Sequence, residues 1–317
     1  MNSISLPQSI TSRWNSSERG KKDANVAPSR IDAMSDEEAI AFLDGLDLSQ
    51  GQLGTPGPLG ELPPVWRVAP DTVLKILEFH EVSEPFTMDL VSSQTSIPVP
   101  KLRKCVMWQK KPCMLFEYVE GVDLSEIWPS LGPWTRIKLA LVLRGYIRQL
   151  RKFKLPQEGM PGPLYPGGMP TNLMKCHGHY FSDLGAGPFP SYAALSAWFD
   201  GRRRLTTILN STPDTDPVSE SELRFDDSMP LVLTHGDISV YNVRLGVDGK
   251  VWLFDWQLAG AYPQWFEYAS IMAYNNDRSL SGWLSFAPLI AGEYQSQFEF
   301  MKKNARGLAH YGFQGFD

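Results

Sequence analysis

The stretch from Leu231 to Gly260, LVLTHGDISVYNVRLGVDGKVWLFDWQLAG, decides how this chain is expected to fold. Its apolar runs, such as VWLF, are typical of buried strands, and the VDGK segment between two runs has the chemistry of a hairpin turn. Polar residues stand at the borders of these runs: His235, Asp237, Asn242 and Asp255. Because the chain folds back across the turn, the pattern predicts that Asn242 comes near Asp255 at one end of a hairpin.

These polar residues have two interpretations. Asp237 and Asn242 could be turn residues that hydrogen-bond their own backbone. Alternatively, the gathered carboxylate and amide oxygens could bind Mg²⁺, which takes few protein ligands and completes its shell with phosphate oxygens. An unpaired carboxylate beside a buried strand would be costly, which favours the second interpretation for Asp255.

Length and composition limit the classes of protein to which this chain can belong. With 317 residues it is long enough for two domains, and its net charge of -5 argues against nucleic-acid binding. Three cysteines are too few for a disulfide framework. The first thirty residues do not resemble a signal peptide, and no apolar run is long enough to span a bilayer. We expect a cytoplasmic protein that needs neither a membrane nor an obligatory protein partner.

The order of the apolar patterns predicts an α+β protein with two lobes. Residues 1–34 are polar and are predicted to form a disordered tail. Residues 35–118 are predicted to form a small antiparallel sheet with one helix, because two hairpins, near APD and QKKP, flank a helical segment that starts at Ser83. Residues 119–317 are predicted to form a larger, mainly helical lobe. Its basic run RGYIRQLRK, residues 144–152, is expected to be a solvated helix face.

The motifs of the chain, taken together and in order, resemble those of the aminoglycoside phosphotransferase and choline kinase-like family, including its fungal members. The catalytic loop of the protein-kinase superfamily reads H-R-D-x4-N, and here HGD-x4-N is followed by DW in place of DFG. Further segments resemble the family's first hairpin, its helix and following turn, its hinge between the lobes, and the continuation after DW: VWRVAPDTVLKI, SEPFTMDLVSSQTSIPVPKL, CMLFEYVEG and AGAYPQWFEYA. The resemblance covers roughly residues 61–300.

The resemblance implies a protein-kinase-like fold and a phosphotransferase that uses ATP and Mg²⁺. Asp237 would accept the proton of the acceptor hydroxyl, and Asn242 and Asp255 would bind the metal. Lys75 would contact the α- and β-phosphates and would be oriented by Glu84. On the residues alone, Lys75 could instead be an edge-strand lysine, and Glu84 could simply stabilise a helix N-terminus.

The resemblance also places the adenine site and implies a separate function for each lobe. The backbones of Glu117 and Val119 would contact the adenine edge, and Phe116 would line the pocket. Residues 35–118 would bind the nucleotide, while residues 119–317 would carry the catalytic loop, the metal site and the acceptor site. His235 is expected to brace the loop. The two histidines of KCHGHY suggest a metal, but they have no partner ligands at metal-site spacing. Trp265, Glu267 and Tyr268 could contact the substrate, but they are expected to pack in the core.

Departures from the kinase pattern point to a small molecule as the phosphoryl acceptor. No G-x-G-x-x-G precedes the first hairpin, and LGTPGPLG, residues 53–60, is only a weak candidate for the phosphate-covering loop. No activation loop follows Asp255, which argues against a protein substrate. Two alternatives remain: a catalytically weak nucleotide-binding or scaffold protein of the same fold, and nucleotidyl transfer on that fold. The identity of the acceptor does not follow from the sequence.

Overall fold

The computed structural model describes residues 29–54, 62–157, 159–167, 174–181, 184–211, 224–273 and 281–309. The phosphate-loop candidate therefore lies largely outside the described residues. The described residues form two compact units. The first contains those up to 129 together with 165–167 and 240–257, and the second contains the others. The first unit thus includes the hairpin at 240–257, which the sequence prediction places with residues 119–317.

The first unit contains a four-stranded antiparallel sheet in the order β1-β2-β4-β3. Its strands are β1 Val65–Ala69, β2 Thr72–Ile76, β3 Leu102–Trp108 and β4 Lys111–Glu117. Both predicted hairpins are confirmed. The second turns at Gln109 and Lys110, which adopt positive φ angles of 48° and 65°. These are the left-handed conformations that a two-residue hairpin turn requires.

One helix precedes this sheet in the sequence and a second lies between β2 and β3. They are α1 Asp36–Asp44 and α2 Ser83–Gln94. Ser35 caps α1, because its hydroxyl accepts the Glu38 N–H. A 3₁₀-helix, Arg30–Ala33, precedes α1 and buries Ile31 against the sheet in a cluster with Leu43. Residues 29–34 are therefore folded, which corrects the predicted tail at its C-terminal end, while residues 1–28 lie outside the described part.

A second, three-stranded antiparallel sheet of the first unit has the order β5-β8-β9. It consists of β5 Gly121–Asp123, β8 Val243–Gly246 and β9 Val251–Leu253, and α3 Leu124–Ile127 follows β5 directly. The predicted hairpin at VDGK joins β8 to β9, and Gly249 in its turn has a φ of 78°. The addition of β5 to this hairpin was not evident in the sequence, because that strand is short and distant along the chain.

The second unit is mainly helical. Its helices are α4 Pro133–Leu150, α5 Tyr192–Asn210, α6 Phe266–Met272, α7 Ser281–Leu284, α8 Ala287–Ala291, α9 Gln295–Lys303 and α10 Ala305–Ala309. A short antiparallel sheet in the order β6-β10-β7 accompanies them: β6 Gly162–Pro163, β7 Leu231–Thr234 and β10 Gly260–Pro263. The predicted α+β class, with a small antiparallel sheet followed by a mainly helical part, is confirmed.

The basic run of α4 is not simply a solvated face. Arg144 donates to the carbonyl of Leu289 at 2.8 Å, and Arg151 donates to the carbonyl of Ala291. Both carbonyls lie near the C-terminal end of α8, where unpaired helix carbonyls attract cations. The two arginines therefore tie α4 to α8. In the part of the chain that the structure describes, no helix is both long and apolar enough to cross a membrane.

Candidate active site

Lys75 lies at the centre of a buried ion cluster in the first unit. Its ammonium is 2.8 Å from a carboxylate oxygen of Glu84 and 2.8 Å from one of Asp255. The lysine side chain is 10% exposed. Burial by itself would lower the pKa of Lys75, but the carboxylates of Asp255 and Glu84 outweigh it and raise that pKa above its ordinary value. The lysine is therefore held as a cation, pointing at Asp255.

Glu84 orients the lysine from α2, where it is the second residue of the helix. One of its oxygens contacts Lys75 and the other accepts the Trp256 N–H at 3.2 Å. Burial raises the pKa of Glu84 above its ordinary range; Lys75 acts in the opposite direction but is shared with Asp255. Glu84 thus joins the helix to the lysine and to the backbone next to Asp255.

Asp255 follows β9 in the left-handed conformation, with a φ of 60°. Such a conformation is uncommon for residues other than glycine and frequently marks a functional site. Its side chain is 31% exposed, in contrast to the buried Glu84. The N–H of Phe254 donates to the backbone carbonyl of Asn242 at 2.9 Å. The hairpin therefore places Asn242 across from the residue before Asp255, as its turn predicted.

The segment assigned to adenine binding lies at the end of β4, and hydrogen bonds hold its backbone in place. Phe116 and Val119 are buried. The N–H of Glu117 donates to the carbonyl of Lys101 at 2.9 Å. The carbonyl of Val119 accepts a bond of 2.9 Å from the guanidinium of Arg244. This segment is consequently fixed at its backbone, which is what recognition of an adenine edge by peptide groups requires.

Asp237 lies in the second unit, in the loop that follows β7. Its N–H donates to the Nδ1 atom of His235 at 3.2 Å, which agrees with a bracing role for that histidine. Gly236 between them has a φ of 80°, and a Cβ atom at this position would lie 2.7 Å from the carbonyl oxygen of Leu258. Only glycine fits there. The HGD sequence is therefore required by the backbone as well as by chemistry.

Glu267, which the sequence assigned to core packing, holds this loop from α6. Its carboxylate accepts the N–H of His235 at 2.7 Å and the N–H of Gly236 at 3.1 Å. Burial raises the pKa of Glu267 to about 7, although the two N–H bonds act to lower it. The sequence signal that could have found this residue is its isolated charge in an otherwise apolar helix, FEYASIM.

His179, which also received no chemical role from the sequence, contacts Asp237 directly. Its Nε2 atom lies 3.1 Å from Oδ1 of the aspartate. The side chains are 24% and 10% exposed, respectively. No sequence pattern links two residues 58 positions apart, so only the folded chain reveals this pair.

The side chains of the first unit fit a nucleotide with its metal. Asn242 and Asp255 offer the hard oxygen donors that Mg²⁺ prefers, and Lys75 offers a fixed cation for phosphate oxygens. Among the described residues, no group of three or more His, Cys, Asp and Glu side chains is arranged to hold a metal ion. Two oxygen donors suit a Mg²⁺ ion that keeps phosphate oxygens among its ligands.

Comparison with known proteins gives one family. A model described as "Phosphotransferase enzyme family" matches residues 65–295, and no curated protein matches. The chain is similar to the solved aminoglycoside-3'-phosphotransferase of type VIII at 15% identity, with 84% of this chain and 91% of that chain covered and a TM-score of 0.42. It is similar to aminoglycoside phosphotransferase APH(3'')-Id from Streptomyces rimosus, solved with ADP and streptomycin, at 16% identity. That match covers 87% of this chain and 100% of the other chain, with a TM-score of 0.41. It is also similar to choline kinase LicA from Streptococcus pneumoniae at 13% identity, with 86% of each chain covered and a TM-score of 0.42.

Proposed function

We propose, since this chain belongs to the phosphotransferase enzyme family, that it transfers the γ-phosphoryl group of ATP to a hydroxyl of a small molecule. The observation that carries the proposal is the contact of Lys75 with both Glu84 and Asp255. A strand lysine paired with a helix glutamate and a metal-binding aspartate is how kinases prepare to hold nucleotide phosphates. A purely structural lysine would have no need of two carboxylates, one of them buried.

The candidate site residues of the first unit each have a role in nucleotide binding in this proposal. Lys75, oriented by Glu84, would contact the α- and β-phosphates. Asn242 and Asp255 would hold Mg²⁺, which neutralises charge on the phosphate oxygens when it is bound. The adenine would lie against Phe116, with its edge on the peptide groups of Glu117 and Val119. Phosphoryl transfer depends mainly on such positioning and on electrostatic stabilisation.

Asp237 would accept the hydrogen bond of the acceptor hydroxyl and orient its oxygen for attack on the γ-phosphate. This role requires a carboxylate held in a fixed direction more than it requires a strong base. The acceptor is a small molecule in this proposal, because the chain lacks a recognisable activation loop after Asp255 in its sequence. The count of only three cysteines, too few for a disulfide framework, supports a cytoplasmic location.

Nucleotide binding is tested by the thermal shift that MgATP produces in three variants. Asp255→Ala should lose the magnesium-dependent shift, whereas Asp237→Ala should keep it. Asp47→Ala, the same change at an exposed loop residue, serves as the control. A normal magnesium-dependent shift in Asp255→Ala would contradict the assignment of the metal ligand.

Transfer is tested by incubating the wild-type protein with MgATP and a panel of hydroxylated metabolites, followed by mass spectrometry. We expect one product to gain a phosphate and Asp237→Ala to abolish its formation. A product that gains a nucleotide would show nucleotidyl transfer instead. MgATP binding without turnover on any member of the panel, or on water, would favour a nucleotide-binding scaffold.

A further inference from the structure

The segment that carries His179 is anchored on both sides of the histidine. Cys176 and Ala186 form a two-bond antiparallel bridge, with N–H to carbonyl distances of 2.8 and 2.9 Å. The hydroxyl of Tyr180 donates to the carbonyl of Ala269 at 2.5 Å. The histidine between these anchors has little freedom to move away, so its contact with the aspartate is built into the fold of the second unit.

The next residue, Phe181, extends this anchoring into the core. Its ring is buried and lies within 6.5 Å, centroid to centroid, of five aromatic rings of the second unit: Phe189, Trp198, Phe199, Tyr262 and Phe266. Gly178, on the other side, has a φ of 116°, and a Cβ atom there would lie 3.2 Å from the side chain of Leu258. These contacts hold the loop on both sides of His179, which contacts Asp237.

The bonds from Glu267 and His235 act on the backbone of the catalytic loop. Glu267 and His235 hold backbone N–H groups, which do not restrict rotation about the Cα–Cβ bond of Asp237. The contact from His179 reaches Oδ1 itself. A donor on one carboxylate oxygen determines where the other oxygen points.

We propose that His179 is a positioning residue for the phosphoryl-transfer reaction. It donates its Nε2–H to Oδ1 of Asp237 and thereby directs Oδ2 toward the acceptor hydroxyl. This inference rests on the proposed function, in which Asp237 receives that hydroxyl. It assigns a role to the KCHGHY segment, which lies far from the motifs of the nucleotide site and catalytic loop in the sequence.

The space around His179 makes the inference testable by chemical rescue. A small hollow, partly open to solvent, is lined by the histidine and its loop together with Gly236, Thr234 and Leu258. Removal of the imidazole in His179→Ala would enlarge this hollow next to Asp237. Free imidazole from solution can then occupy the vacated position and restore the donor.

The first experiment observes the pair without nucleotide. In ¹⁵N–¹H spectra of the histidine rings, His179→Ala identifies the resonances of residue 179. We expect the wild-type ring to be the Nε2–H tautomer with a protected proton, and we expect Asp237→Ala to abolish both features. Ring signals that do not respond to Asp237→Ala would overturn the proposal, provided that the variant keeps its far-UV circular dichroism spectrum.

The second experiment measures hydrolysis of MgATP, with water as the acceptor. His179→Ala should lower kcat about 100-fold with little change in the KM for ATP, because misplacement of a reacting group by about an ångström has that effect. His179→Gln, which keeps an N–H donor, and imidazole added to His179→Ala should each restore activity. His80→Ala, at an exposed position of the first unit, is the matched control.

The outcomes separate this inference from the proposed function. Full kcat in His179→Ala overturns the positioning role while leaving the phosphotransferase proposal intact. A wild-type protein that neither binds nor hydrolyses MgATP refutes the proposed function, and with it the catalytic meaning of the pair. Loss of kcat that neither glutamine nor imidazole restores would show that the histidine serves only the fold.

Discussion

Replacement of Glu267 by glutamine should change how the stability of the protein depends on pH. The carboxyl is buried, and its pKa is raised from an ordinary value of 4.5 to about 7. A carboxyl whose pKa is raised on folding stabilises the native state below its unfolded pKa, and this contribution is lost as the pH rises through the folded pKa. Ionisation of Glu267 therefore weakens the fold between about pH 4.5 and pH 7.

The size of the effect follows from the shift. One pKa unit corresponds to about 1.4 kcal/mol, so the stability of the wild type should fall by roughly 2 to 3 kcal/mol relative to Glu267→Gln between about pH 5 and pH 8. Glutamine resembles the protonated carboxyl, since it offers one acceptor and one donor. The two proteins should thus be close in stability at the acidic end and should diverge, in favour of the variant, at the basic end.

Urea denaturation at a series of pH values measures this difference directly. Glu293→Gln, the same change at an exposed glutamate, controls for the loss of a carboxylate elsewhere. If the free energies of unfolding of the wild type and Glu267→Gln differ by the same amount from about pH 5 to pH 8, the reasoning is refuted. Hydrogen exchange of the Gly236 amide provides a second readout. The carboxylate accepts hydrogen bonds from two backbone N–H groups, and glutamine would present to one of them an NH₂ group, which cannot accept. That exchange should be faster in the variant above about pH 7.

Two further substitutions test the first unit by the same denaturation assay. Arg244→Lys should destabilise it by about 1 to 2 kcal/mol, because one ammonium cannot replace both the paired bonds to Asp123 and the bond to the Val119 carbonyl; an unchanged midpoint would contradict this. Leu43→Ala should cost about 2 to 5 kcal/mol, since Leu43 is fully buried between α1 and the sheet. A loss below about 1 kcal/mol would mean that α1 is not part of the cooperative core.

The elements that the sequence predicted well are those specified by local chemistry. Ser35 and Ser191 each cap a helix with their hydroxyl, and a serine before a helical segment is a local signal. The turn between β8 and β9 was evident from its DG pair. Because these signals act within a few residues, one segment is enough to predict them.

What the sequence did not predict depends on partners that are distant along the chain. β5 joins the hairpin of β8 and β9 across more than one hundred residues, and β7 pairs with β10 rather than with its neighbour β8. The arginines of α4 looked solvated because the carbonyls that they contact belong to helices and turns far along the chain. In each case a local pattern was correct about the element and silent about its partner.

The two buried glutamates show the same limit at the candidate site. Glu84 and Glu267 are each the second residue of a helix, where an acidic side chain is favourable whether or not it has another role. Each accepts a backbone N–H next to a candidate catalytic aspartate: Glu84 from the residue after Asp255, and Glu267 from the residue before Asp237. Both are 1% exposed, and an ordinary helix-start carboxylate would be in water. Burial of a carboxylate is costly. The hydrogen bond by which each glutamate holds a loop of the candidate site explains why the carboxylate is buried.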